Sequence, residues 1–295
     1  MRSATASAGP STANLGHGFD VLAIALESAA LPRDVVTVER AKRWSVEVEG
    51  PEADGIPTEP SANVAVLAAR ALSPDPLRVH LWKGLAPGSG LGSSAASAAA
   101  AAWAVAKLLG KRPSHARLVA AAAEGERASA GVPHSDNVSA ALLGGMTCVA
   151  DPPMRWPVPR HVGFALAIPR IELTTRRMRR VVPTSWPRAL HTRETARAIA
   201  TALSIARGEL ESLAAVLRGS IVEERRAKLI PGYAKVVAAA ERAGAPAVTI
   251  SGSGPTMVAI VDTRKVDPER VARAMARAFG IEARAVVAHA GKGTL

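Results

Sequence analysis

Disulfide partners, aromatic rings and acidic side chains are all in short supply in this 295-residue chain. Its one cysteine, Cys148, has nothing to pair with, so a disulfide framework is excluded and a reducing, cytoplasmic setting is expected. Aromatics make up only 3% of residues, which is few for a protein that stacks on bases. The N-terminus, MRSATASAGPSTANLG, lacks the apolar core of a signal peptide. The longest charge-free stretch, Gly84 to Ala106, is 23 residues, but it opens with Gly, Pro and Ser and continues mostly as Ala, so transfer to lipid would gain little. It is expected to be a loop followed by a buried helix, in a soluble protein with no membrane partner.

What is present is a large apolar fraction and an excess of arginine. At 48% hydrophobic the chain is far from disordered composition and long enough to bury a full core. The formal charge of +12 raises nucleic acid as a partner. The excess is lopsided: residues 1–150 carry 13 basic and 13 acidic side chains, residues 151–295 carry 24 and 12. Arginines number 29 and lysines 8, and genomic Arg/Ala bias or thermal adaptation is the reading for most of the arginines.

Alternating or β-branched segments predict strands at 3–8, 19–26, 34–40, 44–49 and 77–83. Helices are predicted at 61–72 with Ser61 as cap, 93–109, 114–129 and 136–143, with a strand at 146–150. The segment DPPMRWPVPR, four prolines in ten residues, is the one plausible boundary. It divides the chain into 1–155 and 156–295. Beyond it, strands are expected at 162–168, 247–251, 256–262 and 283–289. Helices are expected at 191–207, 209–218, 233–243 and 267–280, the last capped by Asp267 with Pro268 in its first turn. Strands and helices mixed in both halves give an α+β class with two domains.

The strongest chemical signal lies in LWKGLAPGSGLGSSAAS. A strand runs into a loop bearing Gly88, Gly90 and Gly92, which opens a helix at Ser93-Ser94. Glycines let backbone N–H groups approach a ligand, and a helix N-terminus adds unpaired donors and a positive dipole end. Phosphate binding is the functional reading. The loop is not a Walker A sequence, because no Lys-Ser/Thr pair follows the glycines, and Ser93 stands where a dinucleotide fingerprint needs its third glycine. The tail Gly291-Lys292-Gly293-Thr294 has no helix after it and is discarded.

PGSGLGSSAAS (87–97) resembles the central phosphate-loop motif of the GHMP kinases. TISGSGPTMVAI (249–260) is similar to their C-terminal glycine motif. STANLGHGFDVLAIAL (11–26), HSDNVSAALLGG (134–145) and RAKLIPGY (226–233) resemble stretches of the homoserine kinases within that group. The resemblance implies an N-terminal α/β domain of the ribosomal S5 domain 2-like type and a ferredoxin-like C-terminal α+β domain, with the site between them. It implies ATP with Mg²⁺ as phosphoryl donor and L-homoserine as acceptor, giving O-phospho-L-homoserine for threonine biosynthesis.

Carried residue by residue, the resemblance assigns the ATP phosphates to Pro87, Gly88, Ser89, Gly90, Leu91, Gly92, Ser93, Ser94 and Ala95, with Ser94 beside the metal. Glu126 is the candidate Mg²⁺ ligand, and Asn63 and Lys83 are candidate nucleotide contacts. Asp20 would take the acceptor's ammonium. Arg179 and Arg226 would take its carboxylate, for which a planar guanidinium fork is suited. The arginine run 176–180 leaves the register of Arg179 open by one. Asn14, His134, Asn137 and Gly252 complete the acceptor site, and Asp136 sits near the attacking hydroxyl. A loose phosphoryl transition state releases the proton late, so Asp136 is expected to orient the hydroxyl rather than ionise it beforehand. Two departures from the family pattern stand out: His17 where proline is usual, and Glu223-Glu224-Arg225-Arg226 where an aromatic precedes the arginine.

Two other readings compete. A sugar or mevalonate-type GHMP kinase would begin with a Pro-Gly/Ala-Arg/Lys pattern, absent here. A basic nucleic-acid-binding protein would leave the glycine motifs unexplained, so no nucleic-acid partner is expected. Whether the protein is a homodimer is not legible in the sequence.

Overall fold

The computed structural model describes residues 3–131 and 133–295. The first half runs β1 (Ser3–Ala8), β2 (Ser11–Asn14), β3 (Gly18–Glu27), β4 (Asp34–Arg40), β5 (Ser45–Glu49) and α1 (Val64–Arg70), then β6 (Leu77–Trp82) and α2 (Ser93–Leu108). It continues through α3 (His115–Ala130), α4 (Asp136–Leu143), β7 (Met146–Cys148) and β8 (Met154–Trp156). The second half begins with β9 (Val162–Pro169), α5 (Thr175–Arg180), α6 (Arg188–Arg207), α7 (Leu213–Leu217) and α8 (Ile221–Ala227). It ends with α9 (Tyr233–Arg242), β10 (Ala247–Ile250), β11 (Met257–Asp262), α10 (Pro268–Ala278) and β12 (Ala283–Ala290).

The α+β class holds, and most boundaries fall within a few residues of those expected. At α1 the cap is Asn63, not Ser61, because the Asn63 carboxamide accepts from the N–H groups of Ala65 and Val66. The elements not expected are short. β2 is four fully buried residues with no alternation to read, and α5 (TRRMRR) buries only Met178. β8 lies within the proline-rich segment, and α8 spans only seven residues.

Two sheets organise the chain. One has the order β1-β4-β6-β5, antiparallel except for the parallel pair β5 and β6. The other has the order β10-β11-β9-β12-β3-β7-β8, with β2 paired to β3 beside that path. β12 joins β3 through His289 opposite Glu27 and Ala290 opposite Leu26, so strands from both halves share this sheet. The residues that follow continue the seam: the N–H of Thr294 donates to Ala141 O and that of Leu295 to Leu142 O.

The first sheet packs on α1, α2 and α3 through a core rich in alanine. α2 carries no charge before Lys107 and is buried nearly all round, as an uncharged helix must be. Residues 93–106 of the charge-free stretch lie in this helix, and no helix among the described residues is long and apolar enough to cross a membrane. In β9 the large side chains Phe164 and Leu166 face one core, with Ile24, Ile205 and Leu213. The small Ala165 and Ala167 face the other, where Val236, Met275 and Phe279 pack.

Candidate active site

A cleft of about 300 Å³ is walled by the glycine loop, the start of α4, the turn before β3, α5, α8 and the loop after β10. Its donor end is the glycine loop. Gly92 is the N-cap of α2 at φ +67°, and a Cβ there would lie 2.3 Å from Ser11 Oγ. Gly90, at φ +82°, lies so close to the loop after β10 that a Cβ would sit 2.5 Å from Ser251 O. Ser251 Oγ donates to Gly90 O at 2.8 Å, and Thr256 N donates to Ser89 O at 3.2 Å. The second glycine motif therefore braces the first, while the first-turn N–H groups of α2 have no helical acceptor.

Asp34 secures the loop at both ends. Its Oδ1 accepts from the N–H groups of Gly84 and Leu85 at 2.9 and 3.0 Å. Its Oδ2 accepts from Lys83 Nζ at 2.5 Å and Ser97 Oγ at 2.6 Å. Lys83 also donates to Ser93 O at 3.1 Å. The stem of Lys83 borders the cleft, but its ammonium is committed to this anchor, and burial draws its pKa below the usual value despite Asp34. Asp34 had a sequence signal that went unread: in β4 it shares the inward phase of Val36 and Val38.

Ser94 Oγ donates to Glu126 Oε2 at 3.1 Å, and both residues line the cleft. Glu124, two residues away, instead pairs with Arg127 on the exposed side of α3. Among the described residues no group of three or more His, Cys, Asp or Glu converges as a metal cage. One carboxylate and one hydroxyl beside a phosphate loop still suit Mg²⁺, which takes few protein ligands and completes its shell with water and phosphate oxygen.

The acceptor end is built on the turn between β2 and β3. Asn14, Leu15 and Asp20 all have positive φ, 72°, 45° and 59°, a strained arrangement for residues other than glycine. Asn14 holds it: its Oδ1 accepts from Asp20 N at 3.1 Å, and its Nδ2 donates to Gly252 O at 2.6 Å. Asp20 Oδ1 accepts from Arg179 Nη2 at 2.6 Å, and the same Nη2 lies 3.1 Å from His134 Nδ1. Arg226 is buried, donating from Nε to Met178 O at 3.2 Å and from Nη1 to Gly252 O at 3.0 Å. Burial, then the charge of Arg179, brings Arg226 down to about 10. Within the run 176–180, the structure brings Arg179 to the cleft wall.

Between the two ends, Asp136 and Asn137 open α4. The cap position is Ser135, whose side chain makes no capping bond, so Asp136 and Asn137 are not spent as caps. Asp136 Oδ1 accepts from Asn137 N at 2.7 Å. Burial first, and the Asp20 carboxylate second, push Asp136 up to about 6. Ser11 Oγ donates to Asn137 Oδ1 at 2.8 Å, which turns the Asn137 amide N–H groups the other way. Ser11 was not legible as a site residue, because it reaches Asn137 only through tertiary folding.

The cleft thus gathers the sequence candidates with two exceptions. Asn63 does not line it: both ends of its carboxamide are used, by the α1 cap and by donation to Pro57 O at 2.7 Å. Leu91 is buried in a core rather than facing the cleft. The departure at His17 has a structural use. His17 is enclosed, Nδ1 at 2.8 Å from Glu194 Oε2 and Nε2 at 3.1 Å from Arg218 O, tying the acceptor turn to α6 and the loop after α7. Glu223 is buried and accepts from Tyr233 Oη, Thr249 Oγ1 and Ile250 N, linking α8 to α9 and β10.

Comparison with known proteins fits this arrangement. The family profile "GHMP kinases N terminal domain" matches residues 61–145 and "GHMP kinases C terminal" matches residues 194–281. The homoserine kinase of Halobacterium salinarum is 40% identical over 292 residues, covering 98% of this chain and 95% of that protein. The chain belongs to the homoserine kinase branch of the GHMP kinases. A homoserine kinase of Methanocella arvoryzae is 38% identical over 99% of this chain and 97% of its own length. The crystal structure of homoserine kinase from Cytophaga hutchinsonii superposes with a TM-score of 0.90 at 27% identity, covering 100% of this chain and 96% of that one. The expected two-domain GHMP kinase fold is therefore present, and membership makes the chain an ATP-dependent small-molecule kinase.

Proposed function

We propose that this chain transfers the γ-phosphoryl group of ATP to the side-chain hydroxyl of L-homoserine, giving O-phospho-L-homoserine and ADP. The observation that carries this reading is the acceptor end of the cleft, where one carboxylate, Asp20, and two guanidinium groups, Arg179 and Arg226, stand together within reach of Asp136. A small zwitterion with a hydroxyl arm matches that set, whereas a neutral sugar would leave buried charge without a partner.

In this reading the ammonium docks on Asp20 and the carboxylate on Arg179 and Arg226. Asn14 keeps the turn in place, and Asn137, its oxygen held by Ser11, offers amide N–H to oxygen at the reacting centre. Asp136 receives the hydroxyl proton on the carboxylate oxygen not engaged by Asn137 N–H. With a pKa near 6 it is ionised at neutral pH yet more basic than an ordinary carboxylate, which suits late proton transfer. The loop 87–95 cradles the triphosphate, with Leu91 and Asn63 acting through packing and capping. Ser94 and Glu126 would hold Mg²⁺, which when bound neutralises phosphate charge. The single cysteine accords with a reducing cytoplasmic setting.

The test is ADP release with L-homoserine, mevalonate, galactose, shikimate and L-threonine as acceptors. L-Homoserine is expected to exceed the others in kcat/KM by at least about a hundredfold, since galactose, mevalonate and shikimate leave one or both charged ends of the site unpaired and the hydroxyl of L-threonine stands one carbon short. Equal rates across the panel would overturn the assignment of the acceptor.

A further inference from the structure

Two like-charged guanidinium groups in one wall repel each other, yet among the described residues only one of them forms an ion pair. Arg179 pairs with Asp20. Among the described residues Arg226 has no carboxylate partner, although it is only 3% exposed. Two backbone carbonyls hold its Nε and Nη1. What the two arginines have in common is Phe19. The guanidinium carbon of Arg179 lies 5.2 Å from the centroid of the Phe19 ring, and that of Arg226 lies 5.1 Å from it. Both distances are within the range at which the negative face of an aromatic ring attracts a cation.

The backbone explains how one turn supplies both the ring and the carboxylate. Neighbouring residues of a regular strand point to opposite faces. Asp20 is instead left-handed, at φ +59°, so the Asp20 carboxylate and the Phe19 ring both reach Arg179. Asn14 fixes that conformation through its bond to Asp20 N. A leucine at position 19 would fill space but would supply no ring face.

We infer that Phe19 is a positioning residue for acceptor selectivity: its ring holds Arg179 and Arg226 side by side as one two-armed receptor for the carboxylate of the acceptor. This rests on the carboxylate assignment made under Proposed function. Phe19 touches no reacting atom in this scheme and acts through the arginines.

The test uses the full-length enzyme and two ligands, L-homoserine and 3-aminopropan-1-ol, which keeps the ammonium and hydroxyl but lacks the carboxylate. Phe19→Leu is expected to raise KM for L-homoserine about tenfold with kcat changed much less, as loss of two cation–ring contacts implies. The preference for L-homoserine over 3-aminopropan-1-ol, read as alternative substrate or competitive inhibitor, falls by the same factor. Because Phe19→Leu can also disturb folding, a second series replaces Phe19 by mono-, di- and trifluorophenylalanine. These keep the ring's shape while draining its face of charge, and KM for L-homoserine should climb stepwise.

A flat fluorination series, or equal losses for both ligands in Phe19→Leu, would overturn the role of the ring. If the wild-type enzyme showed no preference for L-homoserine over 3-aminopropan-1-ol, the carboxylate assignment itself would fall, and this inference with it. Arg226→Gln separates the two cases, since it should abolish the preference whether or not Phe19 has this role.

Discussion

Lys83 and Asp34 form a buried ion pair, 2.5 Å from Nζ to Oδ2, beside the glycine loop. The position of Lys83 just before the glycines suggested a nucleotide contact. The structure gives its charge another use: with Asp34 it fastens the strand end at 83–85 to the first turn of α2. Lys83→Met should therefore cost about 3–5 kcal/mol of stability, because it leaves the Asp34 carboxylate buried without its cation. Urea unfolding of the variant measures this, and Lys83→Met/Asp34→Leu should recover part of the loss. A variant of full stability whose only defect is a raised KM for ATP would return Lys83 to the nucleotide.

The pKa of Asp136 predicts a pH profile. Since Asp136 must be ionised to receive a proton, kcat/KM for L-homoserine should rise with pH through a limb near 6 and level off above it. Asp136→Asn should remove the limb and lower kcat by about 10² to 10⁴, the usual range for a positioned proton acceptor. A wild-type profile flat from about pH 5 to 8 would mean that Asp136 only orients the hydroxyl. A loss of about 10⁵ or more in Asp136→Ala would show a stronger dependence on proton removal than orientation allows.

The same carboxyl group links pH to stability in the direction opposite to a salt-bridged acid. Its folded pKa is raised, so its stabilising effect is complete below the unfolded value near 4 and is lost as pH rises through about 6. Glu223, raised by burial to about 7, acts in the same sense over a slightly higher window. Thermal unfolding midpoints should fall between about pH 4 and 7, and Glu223→Gln should flatten the upper part of that fall.

Glu126 provides the metal test. Glu126→Gln keeps the shape and a hydrogen-bonding oxygen for Ser94 but removes the charge that suits Mg²⁺. The Mg²⁺ concentration for half-maximal activity at fixed ATP should rise about tenfold or more. An unchanged Mg²⁺ titration would remove Glu126 from the metal site.

Much of this site was legible because its chemistry is written in short contiguous motifs. Three glycines before a helix start without charges predict a phosphate loop, and Asp136-Asn137 at a helix start can be read from four residues. Legibility ended where a side chain's use depends on a distant partner. Ser61 is the expected cap and Asn63 the expected contact, and only the hydrogen bonds at both ends of the Asn63 carboxamide show it to be the cap. Phe19 is one of three phenylalanines, and nothing local says that two arginines more than 150 residues away will rest on it. Asp34 could have been found from the inward phase of its strand. α5 and α8 could not, since TRRMRR and IVEERRA are too short to show a period.

The pairing of β12 with β3 also bears on how the molecule is made. β3 is synthesised early, yet its neighbour in the sheet comes from residues about 260 positions later, the kind of long-range contact that slows folding. Until that strand leaves the ribosome, the Leu26–Glu27 end of β3 keeps an open edge. The emerging first half also lacks the loop after β10, which braces the first glycine loop, and Arg179, which pairs with Asp20. The sheet closes only after translation has passed β12, and in that interval its unpaired edges are exposed to wrong partners.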